Sequence, residues 1–419
     1  MKPSPPIQWA IIGGGPVGVH VAVALLAHGR VNPAHLRIID PQPALLHRWT
    51  HCTRSTGMQY LRSPAVHHLG LAPFELLQRA GRKKRQRKGR GLFRPPFNRP
   101  ALSFFNAHAA DVVDRFHLRA RHLHDRATHL HPGPTSVRLQ LASGNTLQAQ
   151  HVVLAAGNSD HPHWPEVAQR LRDQGGRTMH VFGPSALEPS GLPERVAVLG
   201  GGISAAQVAT RLADAGKSVT VIARHPPRVH QFDSDPGWIG MKHMRAFWAT
   251  SDLAHRRALI QAARHPGTMP SDVLRSLQRA RARGTLTWLV GALTSGTVGT
   301  NGSLSLVLAR AADPLEVGAL VVATGFSPRR PGGALVDRLV SEHHLPVAGC
   351  GFPVVDRFLR WHPRIFVTGP LAELELGPTA RNLVGGRRAA ERIVGAVLPG
   401  ASSSSTAMAS TAPTPTRQH

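Results

Sequence analysis

Two stretches of the chain share one hydrophobic pattern. Each has an apolar run of five or six residues, a glycine cluster, a stretch with apolar positions at helical spacing, and a second apolar run. The first is IQWAIIGGGPVGVHVAVALLAHG followed by LRIID; the second is RVAVLGGGISAAQVATRLADAGKSVTVIAR. Short unbroken apolar runs predict buried strands, and the spacing between them predicts helix. The first copy therefore reads as strand Ile7–Ile12, helix Val17–His28 and strand Leu36–Asp40. Each copy is followed by an alternating strand pattern. In SVRLQLASGNTLQAQHVVLAAG the turn falls at Ser143–Gly144–Asn145, and the counterpart is TLTWLVGALTSGTVGTNGSLSLVLARA. The remaining pieces are a helical pattern near Leu102–Phe116 and a helical insertion at 238–283. A closing region has two more apolar runs, LVVATGF and PRIFVTGP, and a final helix pattern. That region is too poor in strands to stand alone and reads as a return to the first unit.

The glycines have nucleotide-binding spacing. Gly13, Gly15 and Gly18 make G-x-G-x-x-G, with Pro16 at the first helical position. Gly200, Gly202 and Ala205 make G-x-G-x-x-A, with Ser204 in the first turn of the helix. The first glycine permits a tight turn, the second lets a pyrophosphate approach, and the third small residue allows close helix–strand packing. The helix N-terminus supplies free N–H groups and partial positive charge to the phosphates. The strand ends differ. Asp40 closes the first copy, 22 residues past Gly18, and a carboxylate there accepts from a ribose diol and repels a 2′-phosphate. In the second copy Ala223 takes that place and Arg224 follows, suited to a 2′-phosphate. The first site thus suits FAD and the second NADPH. A flavin carries the redox chemistry of such a pair, and the protein orients and shields it.

The expected fold class is α/β, with two Rossmann-like dinucleotide-binding domains for FAD and NADPH, the second inserted into the first. The expected limits are 1–160 with 321–400 for the FAD domain and 161–320 for the NADPH domain.

Composition adjusts this picture in three places. The 50 Lys plus Arg against 23 Asp plus Glu give a net charge of +27, which attracts polyanions without naming one. Ten of those cations fall in QRAGRKKRQRKGRGLFRPPFNRP, where residues 79–99 read as a basic loop; nucleic acid is an unfavoured partner for it. Two distant cysteines, Cys52 and Cys350, support neither a disulfide framework nor a vicinal dithiol. The first apolar run is broken at Gly13–Pro16 and reads as strand–turn–helix instead of a secretory leader. With no membrane span expected, a soluble cytoplasmic protein is the default. Residues 401–419 lack apolar periodicity and are expected to be disordered. The paired histidines lack cysteine partners or helical ligand spacing, so no metal is expected.

Several segments resemble the class B flavin monooxygenases that N-hydroxylate lysine or ornithine in siderophore synthesis. VVLAAGN, with Gly157, and LVVATGFSP, with Thr324 and Gly325, resemble the strands at the domain junctions of that group. GGGISAAQ is similar to its GGGQSAAE, with Ile203 and Gln207 as departures. GMQYLRSP is similar to its Met-Gln segment, which implies that Met58 and Gln59 lie against the flavin; packing of a loop is the alternative. Arg62 stands two positions closer than the family's substrate-binding Lys, so it is either a surface charge or a ligand for a substrate carboxylate. GPLAELELGPTARNLVGG resembles the flavin-contacting strand and helix, which implicates Gly369 and Asn382 in flavin contact; capping of its helix is the alternative for Asn382. The resemblance implies that NADPH reduces FAD and that O2 adds as a flavin C4a-hydroperoxide. One oxygen then passes to a small nucleophile such as an amine or amino acid, in a pocket that excludes water. No catalytic side chain is assigned. Two other readings remain: a flavin reductase or oxidase that transfers no oxygen, and a non-catalytic redox sensor whose basic loop binds nucleic acid.

Overall fold

The computed structural model describes residues 6–29, 31–85, 91–309 and 311–398, with the side chains of 82–85 excepted. Two sheets organise the chain. The first runs in the order Arg360–His362, Ile365–Val367, Thr146–Leu154, Ile7–Ile12, Leu36–Asp40, His122–His124. Its central strands are parallel, with Ile12 beside both Ile39 and Leu154. Thr146–Leu154 has two roles. Its first half pairs antiparallel with Val137–Leu141 in the expected meander, and its second half pairs parallel with Ile7–Ile12. The second sheet is wholly parallel, in the order Leu286–Val290, Ser218–Ala223, Arg195–Leu199, Ala319–Val322, Thr178–His180. Its own three-stranded meander, Leu293–Val298, Leu304–Leu308 and Leu315–Val317, is a separate sheet.

The apolar runs form buried strands because both faces of each sheet are covered. On one face of the first sheet, Val19 and Leu25 of helix Pro16–His28 join Ala390 and Ile393 of helix Leu383–Gly395 against Ile11 and Phe366. A Cβ on Gly386 would come within 3.0 Å of Val17, so this glycine sets the close approach of the two helices. The other face packs Leu139 and Val152 against Leu335 and Val336 of helix Gly333–Ser341.

The structure departs from the sequence expectation in three places. LVVATGF was expected to open the return to the first unit. Instead Ala319–Val322 belongs to the second sheet, Val321 pairing with Val198. The chain re-enters the first sheet only at Ile365–Val367, alongside Val152–Leu154. The insertion at 238–283 has two fates. Helices Met241–Ala249 and Leu253–Ala262 build a small core from Met244, Phe247 and Ile260 with Phe352 and Leu374 of the returning chain. Helix Ser271–Ala282 packs instead with the second glycine-turn helix, Leu277 and Ala280 meeting Val208 and Leu212. It is the crossover that leads to strand Leu286–Val290. Finally, the basic run is not a simple loop. Its start belongs to helix Glu75–Arg85, and Phe93–Arg94 pairs with Arg99–Pro100. Arg99 is buried against Asp272 at 2.8 Å, with Arg94 on the other carboxylate oxygen at 3.3 Å, and Arg79 pairs with Asp111. Residues 86–90 and the expected tail 401–419 lie outside the described residues.

Candidate functional site: two glycine turns

In parallel α/β sheets, ligands bind beyond the carboxyl ends of the strands. Gly13, Asp40, Ala155 and Gly369 lie at or just past those ends in the first sheet; Gly200, Arg224 and Ala323 do so in the second. The two turns are built alike. The Gly13 N–H donates to the Ile39 carbonyl at 2.9 Å, as the Gly200 N–H donates to that of Ile222 at 2.9 Å. The Ala155 N–H donates to Ile12 at 2.9 Å, as Ala323 donates to Leu199 at 2.8 Å. Gly13 and Gly200 have φ of +117° and +145°, in the region that disfavours side chains. A Cβ there would lie 2.6 Å from the Ala155 carbonyl oxygen in one copy and 2.5 Å from that of Ala323 in the other. A Cβ on Gly18 would fall 1.9 Å from the Gly13 oxygen, so this third position closes the helix onto the turn. Ala205 does the same in the second copy while keeping its methyl, fully buried.

The surroundings differ. The Asp40 carboxylate faces the first turn, accepting from the N–H groups of Gly14 at 2.5 Å and Gln42 at 2.8 Å. These bonds fix its orientation and leave lone pairs for a diol. A Cβ at Gly15 would meet nothing within 4 Å, so the second-glycine position is open. In the second copy the Arg224 side chain is exposed and, among the described residues, makes no hydrogen bond or ion pair. Here the second-glycine position is covered. A Cβ on Gly202 would stand 3.5 Å from the Gly267 Cα, and the His225 ring lies against both Gly201 and Gly267. Ser204 and Pro16 occupy the first turns of their helices as expected.

The segments between the sheets run beside each other. Pro162 and Phe326 form an antiparallel bridge, His163 N–H donates to the Gly325 carbonyl at 2.9 Å, and Thr324 Oγ1 donates to the His163 carbonyl at 2.5 Å. Thr324 and Gly325 thus join the two chain crossings. Gly157 and Gly369 both have open space where a Cβ would be.

Met58 is half-buried on the first core, whereas Gln59 is exposed and its carbonyl accepts from Leu102 N–H at 2.8 Å. Arg62 is engaged within the protein. Its Nε donates to the Gln231 carbonyl at 2.8 Å, and its Nη2 reaches the carbonyls of His230 and Phe232 and Thr268 Oγ1 at 2.9, 2.7 and 2.9 Å. Asn382 stands at the N-cap of helix Leu383–Gly395 without capping it. Its Nδ2 donates to Asp233 Oδ1 at 3.2 Å, across to the segment that follows the second turn. Sequence reasoning missed three features, because each joins residues far apart in the chain. Arg48 donates to the carbonyls of Ser159, Phe182 and Gly183. The fully buried Glu373 is surrounded by Arg257, Arg264 and Arg381. The buried His68 and His108 and the half-buried Glu75 form a group with ligand-capable atoms close together. A hydrogen-bond chain accounts for this last group: His108 Nε2 meets His68 Nδ1 at 3.3 Å, His68 Nε2 reaches the Pro73 carbonyl at 3.1 Å, and Glu75 pairs with Arg115 at 2.7 Å. Two surface hollows, one beside Gln278 and Leu286 and one beside His151 and Arg364, touch neither turn. No described helix is long and apolar enough to cross a membrane.

Two sheets with parallel central strands, each with a glycine turn at its carboxyl edge, joined by paired crossings, define an oxidoreductase of the two-dinucleotide kind. The chain belongs to the pyridine nucleotide-disulphide oxidoreductase family, which matches residues 8–247. Three solved structures share its fold. An ornithine N-hydroxylase from Kutzneria sp. 744, with reduced FAD, NADP+ and L-ornithine, has 19% identity and a TM-score of 0.73, over 94% of this chain and 99% of that one. A cadaverine monooxygenase of desferrioxamine biosynthesis from Erwinia amylovora, bound to FAD, has 16% identity and a TM-score of 0.73, over 99% and 100%. A bacillithiol disulfide reductase from Bacillus cereus has 17% identity and a TM-score of 0.60, over 94% and 99%. A comparison with curated proteins finds no match.

Proposed function

We propose that this oxidoreductase is an FAD-dependent, NADPH-reduced monooxygenase that hydroxylates a small nucleophilic substrate, an amine or amino acid. The observation that carries the reading is the pair of turns with the same backbone geometry and opposite selectors, Asp40 on one and Arg224 on the other. The ornithine and cadaverine enzymes of the same fold support the choice of substrate class. The first turn fits FAD: Gly15 leaves the pyrophosphate position open, and Asp40 is oriented for the ribose diol. The unpaired Arg224 guanidinium is free to fork onto a 2′-phosphate. A flavin held at the first turn would supply the hydride acceptor for NADPH and the electron donor for O2. Gly369 and Gly157 leave room at the carboxyl edge of the first sheet. Met58, half-buried on the first core, is the side chain of its loop suited to pack against a flavin.

The test is NADPH consumption by the FAD-loaded protein over a set of amines, amino acids, sulfides and ketones under 18O2, with peroxide measured alongside. The expected result is an amine product carrying one labelled oxygen. Peroxide equal to the NADPH consumed, with no labelled product, overturns it and favours a reductase or oxidase. The disulfide reductase of the same fold gives that second reading its support. A dithiol mechanism lacks its parts here: Cys52 is half-buried on the second unit's core, where burial pushes its thiol up, and Cys350 is an exposed free thiol.

A further inference from the structure

The covered state of the second turn follows from a small structure of its own. Arg228–Val229 pairs in parallel with Thr268–Met269, forming a two-stranded ribbon outside both main sheets. Ser234 bridges Arg264, and the His265 N–H donates to the Asp233 carbonyl at 2.8 Å, so residues 228–234 and 264–269 form one unit. The rings of His230 and His265 stack across it, 4.0 Å between centroids. Gly267, at φ +70°, carries this unit over Gly202, and its Cα stands where a pyrophosphate has to approach the turn.

Several groups from the other half of the molecule hold that unit: Asn382 donates to Asp233, Glu373 pairs with Arg264, and Arg62 makes the most bonds of any of them. Arg62 donates to three consecutive carbonyls, His230, Gln231 and Phe232, just past the first strand of the ribbon, and to Thr268 Oγ1 on the second, so it ties both segments of the unit together. Thr268 Oγ1 in turn donates to the His265 carbonyl at 2.7 Å. Arg62 is four residues past Met58, on the loop that flanks the flavin-side core. A planar guanidinium with several donors in a fixed fork suits this multiple grip, which a lysine point charge does not reproduce.

Resting on the reading of the second turn as the NADPH site, we infer that residues 228–234 and 264–269 are a cover over its pyrophosphate position and that Arg62 is the latch. The dinucleotide reaches Gly202 only when the cover lifts, and lifting breaks the Arg62 bonds. Arg62 is thus a positioning residue that couples the flavin-side loop to nucleotide entry.

The experiment compares wild type, Arg62→Ala, Arg62→Lys and Thr268→Val as FAD-loaded full-length protein. Amide exchange in peptides spanning 228–234 and 264–269 is expected to rise about tenfold in Arg62→Ala, with exchange in Ile7–Ile12 and Arg195–Leu199 unchanged. Anaerobic stopped-flow reduction is expected to show NADPH association about tenfold faster in Arg62→Ala and about threefold faster in Thr268→Val, with Arg62→Lys between wild type and Arg62→Ala. A residue that only held the fold together would lower flavin content without speeding association. Unchanged exchange in the two cover peptides, or unchanged or slower association in Arg62→Ala and Thr268→Val, overturns the latch. The exchange measurement needs no NADPH and neither measurement uses the oxygenated product. A failed monooxygenase assay therefore leaves the latch tested, and a failed latch leaves the monooxygenase reading standing.

Discussion

The two glycine turns have the same backbone and opposite surroundings. Both fix their first glycine by a hydrogen bond to the neighbouring strand on one side, and both press that glycine onto the carbonyl of an alanine just past the end of the neighbouring strand on the other side. The first turn then opens onto free space beside Asp40, whereas the second lies under Gly267 and His225 beside Arg224. The comparison teaches that the repeat supplies a phosphate cradle and the charged residue at its strand end. Whether that cradle is open depends on residues outside the repeat.

The comparison breaks most sharply at the third small position. Gly18→Ala puts a methyl 1.9 Å from the Gly13 oxygen, so soluble yield and bound flavin absorbance are expected to be lost. The mirror change, Ala205→Gly, is expected to cost only about 1 kcal/mol in a denaturant melt, because it raises the backbone entropy lost on folding without creating a clash. Equal tolerance of both changes would mean that the two turns are not built alike.

Acid separates the two halves next. Burial pushes His20, His67, His108 and His151 of the first unit down to about 4, and His180 of the second likewise. These imidazoles stay neutral in the folded chain, while the unfolded chain takes up protons below its ordinary value of 6.5. Stability is therefore full above 6.5 and declines as pH falls toward 4. A melting temperature lower by about 10 °C at pH 5 than at pH 7.5 is expected, with exchange protection lost first in the first unit. Simultaneous loss across both units would assign them a single cooperative core.

The selectors give the finer contrasts. Arg224→Ala is expected to weaken NADPH binding by about 50-fold and NADH binding hardly at all, read by titration of flavin reduction. An equal effect on both would remove the phosphate assignment. Asp40→Asn replaces an acceptor-only carboxylate by an amide and is expected to weaken FAD by about tenfold, read by flavin release on dilution.

Much of the local structure was legible because it repeats a local pattern. The strands Ile7–Ile12 and Leu36–Asp40 and the hairpin at Gly144 fall where the apolar periodicity puts them. Ala319–Val322 was assigned to the wrong sheet because an unbroken apolar run fits either one, and only its pairing with Arg195–Leu199 decides. Arg62 was legible as a cation in a suggestive place. Its engagement was not, since its acceptors lie about 170 residues further along. Arg99 read as part of a solvated run for the same reason: its partner, Asp272, is contributed by a crossover helix of the other unit.

The sequence by itself determined the two cradles and the charge beside each. Turn, helix start and strand end all lie within one βαβ unit, and short-range sterics dictate them. Only the tertiary structure decided which cradle is open. Gly202 and Gly267 are 65 residues apart in the chain, and their approach depends on a ribbon held by a guanidinium from the other half of the molecule. Contacts of that range follow from how the units pack together, which no local periodicity encodes.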